Sequence, residues 1–455
     1  MIRLAAALLA PLLAVAALAG PLRAAPATTF TLDNGMDVVV IEDHRAPLVV
    51  HMVWYRVGAA DEPPGQSGIA HYLEHLMFRG TENLAPGEFS RIVESNGGSD
   101  NAFTAQDYTG YFQRVAADRL GLMMEMEADR MTGLAIDPDL ARTERDVILE
   151  ERNQRVENSA GALFSEQMRA TQYLQHPYGT PIIGWKHEME GLTPEMAMDF
   201  YEEHYAPNNA ILVVAGDVTP QEVRDLAETH YGPIPPNPDI APRARPQEPP
   251  QIAPRRVSYA DARVSQPYVS RSYLAPVRRQ GDQREAAALE MLAQLLGGDS
   301  QTAVMTRLLE VEEKSALYAA AFYDGLSYDP STFNLVVVPV PGTPLEEAEA
   351  AMDRAIATFL DEGVDTEALE RLKMQVRAEE IYTLDSLQSR ARRYGTALTS
   401  GLTVEDVEAW PSVLQDITAE DIMAAAERLF DPARSVTGYL SVAEAEQAAL
   451  QEVSQ

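Results

Sequence analysis

The sequence predicts a two-domain protein of the α+β class, with helices packed on mainly antiparallel sheets. Hydrophobic residues recur with periods of about 2 and about 3.6 in alternating stretches of the 455-residue chain, which favours strands and helices mixed in one fold. A proline-rich segment at residues 233–255 interrupts this pattern, because proline at that density continues neither a helix nor a central strand. We therefore expect domains at residues 28–232 and 256–455, joined by an extended linker.

The two halves of the chain resemble each other in the order of their predicted elements. In the first half, Asn34-Gly35 marks a hairpin turn within TFTLDNGMDVVVIED, and a strand (PLVVHMVWYRVGA) and a helix (GIAHYLEHLMFRG) follow. In the second half, the predicted strands are RRVSYADARVS and QPYVSRSYLAPV, and the matching helix is EAAALEMLAQLLGG. Late in each half, an amphipathic helix precedes a strand, ILVVAGDV or SVTGYLSV. This correspondence predicts two homologous domains.

Composition narrows the possible functions. Hydrophobic residues make up 46% of the chain and charged residues 23%, which is typical of a globular protein. The net charge of −33 repels phosphate backbones, so we expect no nucleic-acid partner. Cysteine is absent, which excludes disulfides and thiolate metal ligands. All eight histidines lie at or before His230, so histidine chemistry belongs to the first half.

Residues 1–27 have the layout of a secretory signal peptide. Arg3 precedes an apolar run from Leu4 to Gly20, and small residues follow, with cleavage expected after Ala24 or Ala27. The alternative is an uncleaved membrane anchor, but the run is short and contains a proline. We therefore expect a periplasmic or secreted protein with no stable membrane insertion.

The segment His71-Tyr72-Leu73-Glu74-His75 carries the clearest chemistry in the sequence. A spacing of four places the two imidazoles on one helix face, where they can share a cation, and Glu74 projects to the same side. Glu74 is placed there to take a proton from water. The matching positions of the second half are apolar: Leu289, Leu292 and Ala293. The alternative is a chance pairing of two surface histidines with a solvated glutamate, so the motif needs a third ligand.

A third ligand is expected on the charged helix predicted at residues 138–158. The apolar stripe of this helix is formed by Leu140, Val147 and Ile148. At about 100° per residue, Glu144 and Glu151 fall on the stripe, whereas Glu150 does not. Buried carboxylates need a cation or hydrogen-bond donors, so Glu151 is predicted as the third ligand. The alternative for Glu144 is a salt bridge to an arginine, Arg79 or Arg114.

These residues lie within stretches that resemble the pitrilysin/insulinase family of inverted zincin metallopeptidases, EHLMFRGTENLAPGEFSRIVESNGGSDNAFTAQDYTGYF and ERDVILEERNQ. The similarity is to half-size bacterial members related to the mitochondrial processing peptidase, and it runs through most of the first half. The resemblance implies that His71, His75 and Glu151 bind one Zn²⁺ per chain. It also implies that Glu74 is the general base and that Glu144 assists catalysis.

The resemblance further implies where a peptide substrate binds. Asn101, Ala102 and Phe103, together with Thr104, match the family's edge strand beside the zinc, to which substrates add as an extra strand. The alternative is a hairpin whose strand is covered. In the second domain, Tyr318 lies near the place of a family tyrosine that holds the substrate. Val304 occupies the place of the accompanying arginine, and Arg307 lies three residues later. Either Arg307 substitutes from the next helical turn, or another chain supplies the pair.

Together these features predict a periplasmic or secreted zinc endopeptidase that hydrolyses peptides or unfolded polypeptides. Half-size members of the family enclose substrates by pairing, so the resemblance implies a homodimer or a heterodimer with a related inactive chain. The main alternative is a non-catalytic structural or binding subunit, and another is maturation of one specific exported polypeptide. A site with two histidines and one glutamate also accepts cobalt or manganese, and zinc is the default expectation.

Overall fold

The computed structural model describes residues 26–298, 302–383 and 385–443. Of the predicted signal peptide at residues 1–27, all but Pro26 and Ala27 lies outside the described residues. The described chain contains two β-sheets with packed helices, so the predicted α+β fold of two homologous domains is confirmed. Within these residues, no helix combines the length and the apolar character needed to cross a bilayer.

The first sheet has six strands in the order β1-β2-β6-β3-β5-β4. Its strands are β1 (Thr28–Thr31), β2 (Asp37–Glu42), β3 (Leu48–Tyr55), β4 (Ser99–Thr104), β5 (Thr109–Ala116) and β6 (Ala210–Gly216). The predicted turn joins β1 to β2, and Gly35 there has a φ of +88°, which favours glycine. Strands β2 and β6 run parallel. Among the described strands, β4 pairs with β5 alone and therefore lies at the sheet edge.

The helices described in the first half are α1 (Ile69–Leu76), α2 (Glu88–Ser95), α3 (Leu120–Thr132), α4 (Pro138–Arg152), α5 (Ala160–Gln172), α6 (Lys186–Met189), α7 (Pro194–His204) and α8 (Pro220–His230). Two of them are shorter than predicted. After Leu76 the chain tightens into bonds between residues three apart, so α1 ends before Gly80. The helix predicted at residues 138–158 is α-helical only to Arg152, and a π-helical turn follows at Asn153–Glu157.

The second sheet has five strands in the order β7-β11-β8-β10-β9. Its strands are β7 (Arg255–Ala260), β8 (Tyr268–Ala275), β9 (Ala316–Tyr323), β10 (Ser331–Pro339) and β11 (Ser435–Ser441). This order repeats β2-β6-β3-β5-β4 of the first sheet, including the parallel pair. The helices described here are α9 (Arg284–Gly297), α10 (Leu345–Glu362), α11 (Thr366–Thr383), α12 (Leu387–Thr399), α13 (Val404–Gln415) and α14 (Ala419–Leu429). The shared order is the structural form of the internal duplication.

Each domain covers part of its sheet with a helix from the other domain. Helix α5 of the first half packs on β7, β8 and β11, and helix α12 of the second half packs on β3 and β6. The approach is close at both places. A Cβ on Gly395 of α12 would overlap the indole of Trp54, and a Cβ on Gly438 of β11 would overlap Phe164 of α5. This exchange of helices fixes the two domains against each other.

The proline-rich segment has no helix or strand between His230 and Arg255. We call residues 233–254 of this segment the strap. The strap is not a free linker, because the side chains of Arg243 and Arg245 are buried in ion pairs, with exposed fractions of 11% and 4%. Their partners come from both domains.

Replacing Gly395 by alanine should lower the free energy of unfolding by about 1–3 kcal/mol, because the new methyl group overlaps the buried Trp54 ring. Gly161 of α5 is the matched control, since a Cβ there would meet no atom closer than 3.9 Å. The variant Gly161→Ala should be neutral or stabilising by up to about 1 kcal/mol. Urea denaturation measures both, and equal stabilities would contradict the close contact of α12 with the first sheet.

Candidate metal centre

Three side chains with metal-binding atoms converge where α1 packs against α4. One ligand atom from each of His71, His75 and Glu151 lies within 4.8 Å of the other two. The Nε2 atom of His71 is 3.7 Å from Glu151 Oε1, and the Nε2 atom of His75 is 3.4 Å from Glu151 Oε2. Both imidazoles thus aim the same nitrogen at one carboxylate, as a shared cation requires. The structure brings together the three residues that the sequence pointed to.

Helix α1 holds the two histidines in place through its own packing. Gly68 before the helix has a φ of +89°, which lets the chain turn sharply into the first helical residue. The apolar face of the helix is fully buried and consists of Ile69, Tyr72, Leu73 and Leu76. The opposite side carries His71, Glu74 and His75, and His71 is only 8% exposed. The imidazole spacing therefore follows from a helix whose rotation is set by its core.

The predicted apolar stripe of α4 is wrong in its rotation. Leu140 and Val147 are 38% and 44% exposed, and the residues that α4 buries are Ala141, Glu144, Ile148 and Arg152. Glu151 lies at the border of this buried face, and Glu150 is exposed and bonds to Asn153 and Gln154. Hydrophobic periodicity missed the rotation because two of the four buried side chains are charged.

The charges of the site are balanced by neighbouring groups. Burial lowers the pKa of His71 to about 4, which keeps this imidazole in the neutral form that binds metals. Burial also opposes the charge on His75, but hydrogen bonds to Glu144 and Glu151 raise the pKa of that imidazole to about 9. The His75 bond in turn lowers the pKa of Glu151, and Arg155 pairs with the same carboxylate at 2.6 Å. The site thus attracts positive charge, and two imidazoles with one carboxylate suit a zinc ion.

Glu144 orients His75 and does not join the three ligands. Its Oε1 lies 2.8 Å from His75 Nδ1, and its Oε2 lies 2.6 Å from Arg79 Nη2. Burial opposes the charge on Glu144, but the bonds from His75 and Arg79 outweigh burial and lower its pKa. The alternative salt bridge to Arg79 therefore coexists with the contact of Glu144 to His75. Such a carboxylate fixes the ring and makes the imidazole a stronger ligand.

Glu74 lies beside the three ligand residues, held by the edge strand. Thr104 Oγ1 donates a hydrogen bond of 2.5 Å to Glu74 Oε2. Burial raises the pKa of Glu74, which makes its carboxylate a better proton acceptor. Nothing local in the sequence assigned this role to Thr104. The arginines did have a signal, because Arg79 and Arg155 each lie four residues after a ligand, His75 and Glu151.

The predicted peptide-binding segment forms β4, beside α1. Asn101 Oδ1 accepts a hydrogen bond of 2.8 Å from the Ala102 amide at the exposed edge. The Phe103 side chain packs against Trp54, with ring centroids 4.8 Å apart, and the Arg392 guanidinium lies 4.3 Å above its ring. The Phe103 side chain is therefore engaged within the protein, and because main-chain groups of successive strand residues point to opposite sides, the group that β4 offers at its free edge is the Ala102 amide and not that of Phe103. Within the described residues, no strand covers the outer edge of β4.

Arg307 and Tyr318 are the two site residues that the sequence suggested in the second domain. Arg307, in a π-helical turn at Thr306–Glu312, pairs with Glu312 and Glu362 at 2.9 and 3.2 Å. Tyr318 lies on β9, the edge strand of the second sheet, and is 46% exposed. In the described part of the chain, neither side chain bonds to His71, His75 or Glu151. The structure therefore does not support Arg307 as a substitute within the same chain.

Comparison with known proteins identifies the family. The model of the insulinase family (peptidase family M16) matches residues 37–186, and that of the peptidase M16 inactive domain matches residues 191–376. The zinc protease PqqE of Helicobacter pylori is 30% identical over 415 residues, which are 90% of this chain and 91% of PqqE. The chain belongs to peptidase family M16. The resemblance seen in the sequence is thereby confirmed.

Solved structures of bacterial proteases share the fold. A protease from Helicobacter pylori superposes with a TM-score of 0.85 at 28% identity, over 91% of this chain and 100% of that protein. The periplasmic protease PqqL of Escherichia coli superposes with a TM-score of 0.78 at 21% identity. That match covers 94% of this chain but 50% of PqqL. This chain therefore corresponds in fold to half of PqqL.

The variant Glu144→Gln should weaken zinc affinity by about 10- to 100-fold, because the neutral amide holds His75 less firmly. Competition with a chromophoric chelator measures the affinity. Glu150→Gln is the control, since Glu150 lies on the same helix but points into solvent. The zinc affinity of this variant should match that of the wild type. Wild-type affinity in Glu144→Gln would contradict the orienting role of Glu144.

Proposed function

We propose that this M16 protein is a zinc-dependent endopeptidase that hydrolyses peptides or unfolded polypeptides. The observation that carries the proposal is the convergence of His71, His75 and Glu151, with Glu74 held beside them. The zinc protease named among its relatives supports the same reaction class. The accessible edge of β4 next to α1 supports an extended peptide as the substrate.

The metal would be held by His71 Nε2, His75 Nε2 and a Glu151 oxygen. Zinc, when bound, supplies Lewis acidity toward the scissile carbonyl and toward water. Glu144 and Arg79 keep the His75 ring in its orientation. For a metal to bind, Arg155 must move at least partly away from the Glu151 carboxylate. The Arg155 side chain is exposed, so it has room to move. Three protein ligands leave a further coordination position for reactants, as catalytic zinc sites require.

Glu74 would move the proton in the reaction. Its carboxylate accepts a proton from the attacking water, whose oxygen forms a bond to the scissile carbonyl carbon. The carbon–nitrogen bond then breaks, and Glu74 delivers the proton to the leaving nitrogen. The Thr104 hydrogen bond fixes one oxygen of Glu74 and leaves the other for this transfer. Water is the only co-reactant consumed.

The peptide would bind as an additional strand along β4. Main-chain bonds give affinity with little demand on side chains, which suits unfolded polypeptides. In the free protein, the Asn101 side chain occupies the Ala102 amide. A bound peptide would therefore displace Asn101 Oδ1 from this donor. Phe103 supports the strand from below by its packing on Trp54.

We propose that the chain acts as a homodimer or as a heterodimer with a related inactive chain. The correspondence of this chain to half of PqqL supports pairing. In a pair, Tyr318 and Arg307 of one chain would serve the metal centre of the other. Location in the periplasm, or secretion, agrees with the signal-like residues 1–27 and with the periplasmic location in the name of PqqL.

A non-catalytic structural or binding subunit is the second candidate. Two observations favour it: the match of residues 191–376 to the inactive-domain model, and the engagement of Arg307 in ion pairs of its own domain. A third reading is maturation of one specific exported polypeptide at the same metal centre.

The variant Glu74→Gln should lose peptidase activity by about 10²- to 10⁴-fold, because the amide cannot accept the proton. Cleavage of a mixed pool of quenched fluorescent peptides by the mature protein measures activity, and elemental analysis measures bound zinc. Wild type and variant should both hold one zinc ion per chain. A wild-type protein that binds zinc and cleaves nothing would favour the non-catalytic subunit.

Mixing two inactive variants tests the pairing. In a homodimer with sites shared between chains, Glu74→Gln and Tyr318→Phe chains together form some dimers with one intact site, and activity should return to about a quarter of the wild-type value. Each variant alone should stay inactive under the same conditions. Full activity of Tyr318→Phe alone would show that Tyr318 is dispensable. Loss of activity without recovery on mixing would place both groups in one chain.

A further inference from the structure

We propose that Arg245 of the strap is a positioning residue for the metal centre, acting through Asp61 and Asp107. The proposal rests on the peptidase function proposed above. The buried Arg245 guanidinium fixes both the start of the metal-binding helix α1 and the edge strand β4. Through the same cluster of contacts, the second domain helps to orient Glu74.

Arg245 lies in a buried cluster of charges between the domains. Its guanidinium pairs with Asp61 at 2.8 Å, with Asp107 at 2.6 Å and with Asp329 at 3.2 Å. The exposed fractions of these three aspartates are 12%, 3% and 6%. Arg243 adds a second cation, 3.2 Å from Asp61, and donates to the Asp107 carbonyl at 2.7 Å. A planar guanidinium with several donors can hold such carboxylates in one fixed arrangement, which a lysine cannot do.

The first connection runs from the cluster to the edge strand. Asp107 belongs to the turn at residues 105–108, which joins β4 to β5. The residue just before this turn is Thr104, which holds Glu74. A shift of the turn therefore moves the hydroxyl that orients the proposed general base.

The turn itself is fixed from several sides. The Asp107 carboxylate accepts hydrogen bonds from the Tyr178 hydroxyl at 2.6 and 2.7 Å and from the Tyr328 amide at 2.9 Å. The carbonyls of Ala105 and Gln106 accept bonds of 2.9 Å from Ala59 and Ala60. Among the described residues, the Arg245 guanidinium of the strap is the one cation in an ion pair with the Asp107 carboxylate, and without it this buried carboxylate would be poorly compensated.

The second connection runs from the cluster to α1. Asp61 ends the short 3-10 helix Ala59–Asp61, and Glu62 follows directly. The Glu62 carboxylate accepts hydrogen bonds from the amides of Gly68 at 2.9 Å and Ala70 at 3.0 Å. These amides start α1, and His71 is the next residue. By holding Asp61, Arg245 fixes the group that caps the metal-binding helix.

The second domain enters through Asp329 and Tyr328. Both residues lie in the segment between β9 and β10, and both bond to the cluster that holds the turn. Movement of the second domain would therefore reach the turn that follows Thr104, the partner of Glu74, by two contacts, directly from the Tyr328 amide and from Asp329 through the Arg245 guanidinium. The helix of the second domain that corresponds to α1 has no ligands, so these contacts give the domain a role in the geometry of the first site.

The test compares Arg245→Met with a matched variant, Arg390→Met. Arg390 of α12 also forms a buried ion pair between the domains, at 2.9 Å from Asp43, with exposed fractions of 10% and 7%. That pair has no bond to the turn at residues 105–108 or to α1. We measure kcat/KM on the peptide pool, zinc per chain, and hydrogen exchange of the amides in residues 99–109.

Arg245→Met should lower kcat/KM by about 10- to 100-fold relative to Arg390→Met, because small displacements of reacting groups are costly. Zinc should remain at one ion per chain in both variants. Exchange in residues 99–109 should become faster in Arg245→Met and stay at the wild-type rate in Arg390→Met, whereas exchange in β8 and β10 should agree between them. Equal losses of activity and equal exchange in the two variants would overturn the proposal, since Arg245 would then only join the domains.

Two further arms keep the test decisive. If Arg245→Met does not fold, the variant Asp107→Asn replaces it in the test. This substitution removes the charge of the carboxylate that Arg245 binds and hardly changes the shape of the side chain. Hydrogen exchange of the amides in residues 99–109 should become faster. Unchanged exchange would overturn the proposal. If the wild type cleaves no peptide, the peptidase function fails, but the exchange of residues 99–109 still decides whether Arg245 fixes the edge strand.

Discussion

The structure depends above all on how it compensates for burying several charged and polar groups between α1, α4 and β4. Two imidazoles and the carboxylates of Glu74, Glu144 and Glu151 share this small region, and an unpaired buried charge costs several kcal/mol. Arg79, Thr104 and Arg155 satisfy part of this demand. The remainder is met by a proton on His75 or by a divalent cation. This demand for positive charge at one point supports the metal site that we propose.

Much of this arrangement was predictable because helical spacing is a local property. Residues four apart share a face, so His71 and His75 had to meet, and residues seven apart share one as well, so Glu144 and Glu151 had to lie on one side of α4. The rotation of α4 about its axis was not predictable from hydrophobicity. Leu140 and Val147 face outward, whereas Glu144 and Arg152 are buried. Burial of these two charged side chains is possible because each forms an ion pair or hydrogen bond with a polar group on another helix. The duplication was predictable for the same local reason, since each half repeats the same order of hydrophobic periods, but the strand order within each sheet rests on pairings between distant segments and was not predictable.

Contacts made across long sequence separations could not be predicted. Thr104 reaches Glu74 across 30 residues, and the pair has no signature in either segment. The strap was predicted as an extended linker from its prolines, and its backbone is indeed free of helix and strand. Nothing in the sequence distinguishes its two arginines, Arg243 and Arg245, from solvent-facing charges. The structure buries them because three aspartates from distant segments converge at one point, which only the folded topology defines.

The difference between the two domains follows from a few positions on otherwise equivalent helices. Both domains place a helix after the equivalent central strand, β3 or β8, and both build the same strand order around it. In α9 the matching residues Leu289, Leu292 and Ala293 are buried in an apolar core, so the helix is stabilised by packing alone. In α1 the same face carries His71, Glu74 and His75, which are stabilised only when other elements supply partners. Helix α9 therefore needs no polar partners at these positions, and the second domain can support the first. That support reaches the first domain through the exchanged helix α12, through the Tyr328 amide at Asp107 and through Asp329 at Arg245.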